Sequence, residues 1–153
     1  MIHTLHREQI IPTSVEVLWD YFSAPQNLND MTPPDMNFQI VMGGDVKMYE
    51  GQIIEYRVEF IRGIRSLWLT EIAHVREKEY FVDEQRVGPY RFWYHEHLFE
   101  KTSFGTKMTD HVTYVIPFGI IGDVLNSLWI GKRLQSIFEF RRKKIIELFG
   151  EVQ

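Results

Sequence analysis

The chain has no cysteine. Disulfides, thiolate nucleophiles and zinc–thiolate sites are therefore excluded together. It also lacks a positive excess: 17 Lys and Arg against 21 Asp and Glu leave a formal net charge of −4. Nucleic-acid binding normally needs a basic face, so no nucleic-acid partner is expected. No apolar run reaches the roughly 18 residues of a membrane span, so stable membrane insertion is not expected. The start, Met1 to Gln9, is polar and has no apolar centre of a secretion signal. Linkers, repeats and low-complexity segments are missing too, and Pro12, Pro25, Pro33, Pro34, Pro89 and Pro117 read as boundaries between elements. These absences describe one cytoplasmic domain, residues 1–153. They do not fix its oligomeric state.

What is abundant is aromatic. Phe, Trp and Tyr make up 14% of a chain that is 44% hydrophobic and 25% charged. A domain of this length buries close to 70% of its unfolded surface, enough for a core with a cavity inside it.

Residues 2–11 read as a strand ending at Pro12. Thr13 or Ser14 caps a short helix whose apolar face is Val15, Leu18, Trp19 and Phe22. Gln26 to Met31 forms a second short helical piece, stopped by Thr32-Pro33-Pro34. Asn37 to Met42 is a strand followed by a Gly43-Gly44-Asp45 turn. From Gln52 to Arg62, Ile54, Tyr56, Val58 and Phe60 alternate with Glu55, Arg57 and Glu59, as in a sheet wet on one side. Further strands are expected at 66–76, 80–87, 92–101 and 107–117. Their short connections imply an antiparallel meander. From Asp123, as N-cap, to Phe149 the apolar spacing turns helical, with Gly150 as the C-terminal stop. A helix of that length spans roughly 40 Å and is the one element long enough to cover the sheet.

This order of elements resembles the helix-grip fold of the START-like, or SRPBCC, superfamily. Local motifs add to the likeness: Asn27-Leu28 with Met31-Thr32-Pro33-Pro34, Phe81-Val82-Asp83-Glu84-Gln85, Gly88-Pro89-Tyr90, Trp93 to Phe99, Asp110 to Tyr114, and Pro117-Phe118-Gly119. They are similar to a bacterial branch of ligand-binding or polyketide cyclase/dehydrase-like proteins. The resemblance implies an α+β fold in which a curved antiparallel sheet of about six or seven strands wraps a long C-terminal helix. It implies no single function, since the superfamily hosts carriers, enzymes and receptors.

Strand parity places the candidate site. With Phe104-Gly105 as a two-residue loop, paired numbers sum to 209, so Phe99 faces Asp110, His97 faces Val112 and His95 faces Tyr114. Trp93, Phe99, Val112, Tyr114 and Ile116 mark the inward face, and His95, His97 and Asp110 go inward with them. His97 and Asp110 are then diagonal neighbours. Either they satisfy one another and fix the sheet, or they face a ligand. The same arithmetic around Glu77-Lys78 sets His74 opposite Phe81, Ile72 opposite Asp83 and Thr70 opposite Gln85. Which face of strand 66–76 lines the cavity stays open, because Leu67, Leu69, Ala73 and Val75 compete for it.

The expected function is binding of a small hydrophobic or amphipathic molecule between sheet and helix. Trp19, Phe60, Trp93, Phe99, Val112 and Tyr114 would supply walls. His95 and His97, with Gln85 or Asp83, would meet a polar substituent, and Trp129 would close the helix side. The alternative enzyme is a cyclase or dehydratase in which His95, His97 or Asp110 moves a proton. No serine or cysteine nucleophile stands in a recognisable motif. A third reading is a protein-interaction module with a collapsed cavity. His95-x-His97 also has the spacing of a metal pair, but zinc needs a further ligand such as Asp110 or His74, so neither metal nor cofactor is expected. Arg141-Arg142-Lys143-Lys144 reads as a solvated helix end. Pro117 to Gly122 reads as a lid or a hydrophobic plug.

Overall fold

The computed structural model describes residues 1–152. The elements run β1 (His3–Ile11), α1 (Val15–Phe22), two 3-10 turns (Pro25–Asn29 and Pro34–Met36), β2 (Gln39–Met42), β3 (Ile53–Ile61), β4 (Ile64–Arg76), β5 (Tyr80–Val87), β6 (Phe92–Thr102) and β7 (Gly105–Val115). A terminal helix follows in three parts: α2 (Gly119–Leu125), a π-helical turn (Asn126–Ile130) and α3 (Gly131–Phe149). All seven strands form one antiparallel sheet in the order β1-β7-β6-β5-β4-β3-β2. The inner face of this curved sheet is covered by α3, the helix-grip arrangement. No helix among the described residues is long and apolar enough to cross a membrane.

Local chemistry explains most boundaries. The Ser14 side chain accepts from the Val17 amide and caps α1. In β3, Ile54, Tyr56, Val58 and Phe60 are buried while the residues between them are not. In α3, Leu134, Phe138, Arg141 and Ile145 are buried at steps of four, three and four.

The β6–β7 hairpin is shifted from expectation. Thr102 pairs with Gly105, so Phe99 faces Met108, His97 faces Asp110, His95 faces Val112 and Trp93 faces Tyr114. The loop is Ser103-Phe104, held by the Thr102 hydroxyl, which accepts from the Phe104 amide and donates to the Gly105 carbonyl. The pair sum moves by two, so the inward face is unchanged.

Along β4, Thr70 faces Gln85 and Ile72 faces Asp83, but His74 faces Val82 rather than Phe81. The register shift between Ile72 and His74 inserts one extra residue. Thr70 and Ile72 therefore point inward, His74 turns to solvent, and Val75 packs against the core. That settles which face of β4 is inner.

The helix begins at Gly119, four residues before the expected cap. Asp123 lies inside it and meets the His3 ring at 3.0 Å. The Pro117–Gly122 stretch is not a plug: Phe118, Ile120 and Ile121 are exposed, and none of its residues lines the cavity between the sheet and α3.

Candidate functional site

A cavity of about 160 Å³ lies between the inner sheet face and α3. Its apolar wall comes from Tyr56, Val58 and Phe60 of β3, Trp68 and Ile72 of β4, and Met31 and Met36 of the 3-10 region. Phe138 and Leu134 close it from α3. The polar end is formed by Asp83, His95, His97 and Arg141.

Of the residues expected at the site, Phe60, Trp93, His95 and His97 stand on this wall. The others are elsewhere. Trp19 and Phe99 meet edge to face at 5.6 Å in the core behind Phe81. Val112 is fully buried beside His95, its partner across β6 and β7. Tyr114 donates its hydroxyl to Asn126 Oδ1 (3.1 Å). Gln85 clamps the chain at Tyr90, donating to its carbonyl (2.7 Å) and accepting from its amide (3.2 Å). Trp129 is 41% exposed and touches Phe60 from outside the cavity. Parity tells which face a side chain takes, not its depth along a curved sheet.

The inward histidines do not stand alone. His95 Nε2 lies 2.9 Å from Asp110 Oδ1, and His95 Nδ1 lies 3.3 Å from Asp83 Oδ2. His97 Nε2 lies 2.7 Å from Asp83 Oδ2, and His97 Nδ1 lies 3.2 Å from Asp110 Oδ1. Trp93 donates its indole N–H to the other Asp83 oxygen (3.2 Å). Arg141 closes the cluster, with an Nη 3.5 Å from Asp110 and 3.4 Å from His97 Nδ1. His97 stacks on Phe81 at 4.1 Å, and Phe138 meets His95 at 5.5 Å. Asp83, His95 and His97 each offer one ligand atom, all within 4.8 Å of one another.

Two members take roles that the sequence alone does not reveal. Asp83 sits at the centre because β5 pairs it with His95. Arg141 belongs to the basic run, yet it is 7% exposed. Arg142 and Lys144 of that run do face solvent, paired with Glu139 and Glu147. The Leu134-Phe138-Arg141-Ile145 spacing carries the signal, since it puts Arg141 on the apolar stripe.

Burial opposes charge on every group here, and the neighbours decide the outcome. Desolvation works against ionised Asp83, but His95 and His97 outweigh it and hold its pKa low. Desolvation likewise opposes ionised Asp110; Arg141 and the two histidines hold it well below the usual range. For His95, burial favours the neutral ring, but Asp83 and Asp110 prevail and raise its pKa. For His97, burial and the charge on His95 win, and its pKa falls. Both carboxylates are thus held ionised, facing the two imidazoles and Arg141.

These shifts set a pH dependence. A depressed carboxylate contributes stability above its unfolded pKa of about 3.9 and loses it as pH falls through its lower folded value. A raised histidine contributes below its unfolded pKa of about 6.5 and loses it as pH rises through its folded value. In metal-free buffer, denaturant midpoints should fall steeply on the acid side. Asp110→Asn should flatten that flank. An unchanged flank would place the acid transition elsewhere.

No family model matches the sequence, and no curated protein matches it. Solved structures do. A START superfamily protein from Mycobacterium smegmatis is similar with a TM-score of 0.68 at 13% identity, over 96% of this chain and 98% of its own. Protein CV1439 from Chromobacterium violaceum is similar with a TM-score of 0.69 at 12% identity, over 96% and 97%. Ara h 8.0201 is similar with a TM-score of 0.64 at 17% identity, over 96% and 99%. At such identities the likeness is one of fold: the chain has the START-like helix-grip fold.

Proposed function

We propose that this protein binds a compact hydrophobic or amphipathic molecule in the cavity between the sheet and α3. The observation that carries the reading is the cavity itself, about 160 Å³, ringed by aromatic side chains, with Asp83, His95, His97 and Arg141 as its ionisable cluster. An apolar cavity of about 150 Å³ accepts a molecule the size of benzene. The ligand is therefore the size of one or two rings unless the wall yields. Its apolar body lies against Tyr56, Phe60 and Trp68, and a polar substituent points towards the histidines.

Proton-transfer catalysis of the cyclase or dehydratase kind gains less support. All four nitrogens of His95 and His97 already lie within 3.5 Å of Asp83, Asp110 or Arg141. A substrate would have to displace one of these partners to find a base. The open volume also speaks against an interaction module with a collapsed cavity.

The test is thermal stabilisation by a panel of one- and two-ring compounds, backed by native mass spectrometry for co-purifying molecules. Val58→Phe projects a ring into the cavity and should weaken any such ligand at least about tenfold, or about 1.4 kcal/mol. A ligand that stabilises this variant as well as the parent binds somewhere else, and the reading fails.

A further inference from the structure

We propose that Asp83, His95 and His97 form a site for a divalent transition metal at the polar end of the cavity, with Asp110 orienting both imidazoles and one coordination position open to the cavity. This site is independent of the hydrophobic-ligand reading, because it binds its metal with no organic molecule present.

Convergence is the first support. Asp83 Oδ2 lies 3.3 Å from His95 Nδ1 and 2.7 Å from His97 Nε2. Ligand bonds of about 2.0–2.1 Å in a tetrahedral zinc site separate the ligand atoms by about 3.3 Å. The three side chains need only a small spreading to admit an ion. They come from adjacent, directly paired strands: Asp83 is opposite His95, and His97 is one inward position further along β6. Such a frame holds ligands more firmly than a loop does.

The outer nitrogens give independent support. His95 Nε2 and His97 Nδ1 both turn to the same Asp110 oxygen, at 2.9 and 3.2 Å. A metal-bound imidazole nearly always donates its other N–H to a carboxylate or carbonyl. One carboxylate serving both rings would fix His95 with its proton on Nε2 and His97 with its proton on Nδ1, and Arg141, whose Nη lies 3.4 Å from that nitrogen, would then donate to Asp110 alone. That leaves the two nitrogens facing Asp83 free for metal. Arg141 holds Asp110 in turn (3.5 Å), and Trp93 holds the second oxygen of Asp83 (3.2 Å). Every ligand thus has a supporting partner.

Charge and donor type narrow the ion. With neutral rings, Asp83, Asp110 and Arg141 sum to −1, and a divalent cation brings the site to +1. An anionic oxygen in the open position, such as hydroxide or a ligand carboxylate, neutralises it. Two imidazoles and one carboxylate suit Zn²⁺, Co²⁺ or Fe²⁺ better than Mg²⁺ or Ca²⁺. The His95-x-His97 spacing carries half of this signal. The third ligand is Asp83, not His74, which faces solvent beyond the β4 bulge, nor Asp110, which lies on the far side of both rings.

The test uses the full chain after dialysis against a chelator. Zn²⁺ is added while the six imidazoles are followed by NMR. The expected result is one equivalent bound, with the His95 and His97 ring signals shifted and those of His6 and His111 unmoved. Co²⁺ should give the intense visible bands of a four- or five-coordinate ion. Asp110→Asn should weaken Zn²⁺ by about 10–100-fold. His6→Gln with His111→Gln should leave affinity unchanged; the exposed His6 ring and the half-buried His111 ring lie 5.9 Å apart beside Glu8 and Glu96 and are the competing surface site. Zinc that perturbs His6 and His111 alone, or fails to move His95 and His97 at millimolar concentration, overturns the proposal. That readout is made on the unmutated protein, so it does not depend on any variant folding.

Discussion

Arg141→Met should cost about 3–5 kcal/mol of stability, the largest effect expected from any single charge in this protein. Arg141 is 7% exposed, and its guanidinium stands over the Phe22 ring at 5.1 Å. Its partner Asp110 is equally enclosed. Methionine fills much of the same space, so packing loss is small and the uncompensated carboxylate dominates. Urea denaturation of parent and variant measures the difference. Arg142→Ala, one residue on, removes a solvent-facing pair with Glu139 and should leave the midpoint unmoved. Combining Arg141→Met with Asp110→Asn should recover part of the loss, because the stranded charge is gone. A loss below about 1 kcal/mol for Arg141→Met would show that water reaches Asp110 freely.

The second large effect belongs to Gly105. Its φ is +131°, and a Cβ there would sit 2.1 Å from the Ile11 carbonyl oxygen and 3.0 Å from Pro12 Cα. Both obstacles are backbone, so neither can rotate away. Gly105→Ala must push β1 off β7 at the Ile11–Thr106 rung or open the hairpin, at a cost of at least about 3 kcal/mol. Gly63→Ala is the control. Gly63 has a φ of +81°, but a Cβ there would meet nothing within 4 Å. Only the backbone conformation is penalised, by about 1–2 kcal/mol. Equal losses at the two sites would show that the β1–β7 contact yields easily.

The fold was legible because its signals are periodic. Ile54 to Phe60 alternate, the terminal helix repeats at three and four, and short turns force antiparallel neighbours. Local irregularities were not legible. The β4 bulge and the Ser103-Phe104 loop depend on packing across strands, which no window of sequence contains. At the site, parity brings His95, His97 and Asp110 to the inner face. It cannot show that Asp83 lies between the two rings, because that needs the β5–β6 register as well. Arg141 is obscured by its neighbours: three more basic residues make it look like part of a solvated run, although its helical phase agrees with Leu134, Phe138 and Ile145. Gln85 and Tyr114 are inward-facing residues whose polar atoms hold the protein's own chain, a distinction composition does not make.

The π-helical turn at Asn126–Ile130 has a consequence for how this protein tolerates change. The wider turn holds one residue more than an α-helical path needs, so the angular settings of α2 and α3 are uncoupled. Deleting Ser127 would let this turn close as an ordinary α-helical one, four residues at about 100° replacing five at about 80°, so the two halves keep nearly the same phase. Arg141 then keeps its place against Asp110, and Gly122 keeps its close seat on the Pro117 carbonyl. A lone deletion in this exposed turn is thus absorbed before it reaches the buried charges some 14 residues downstream.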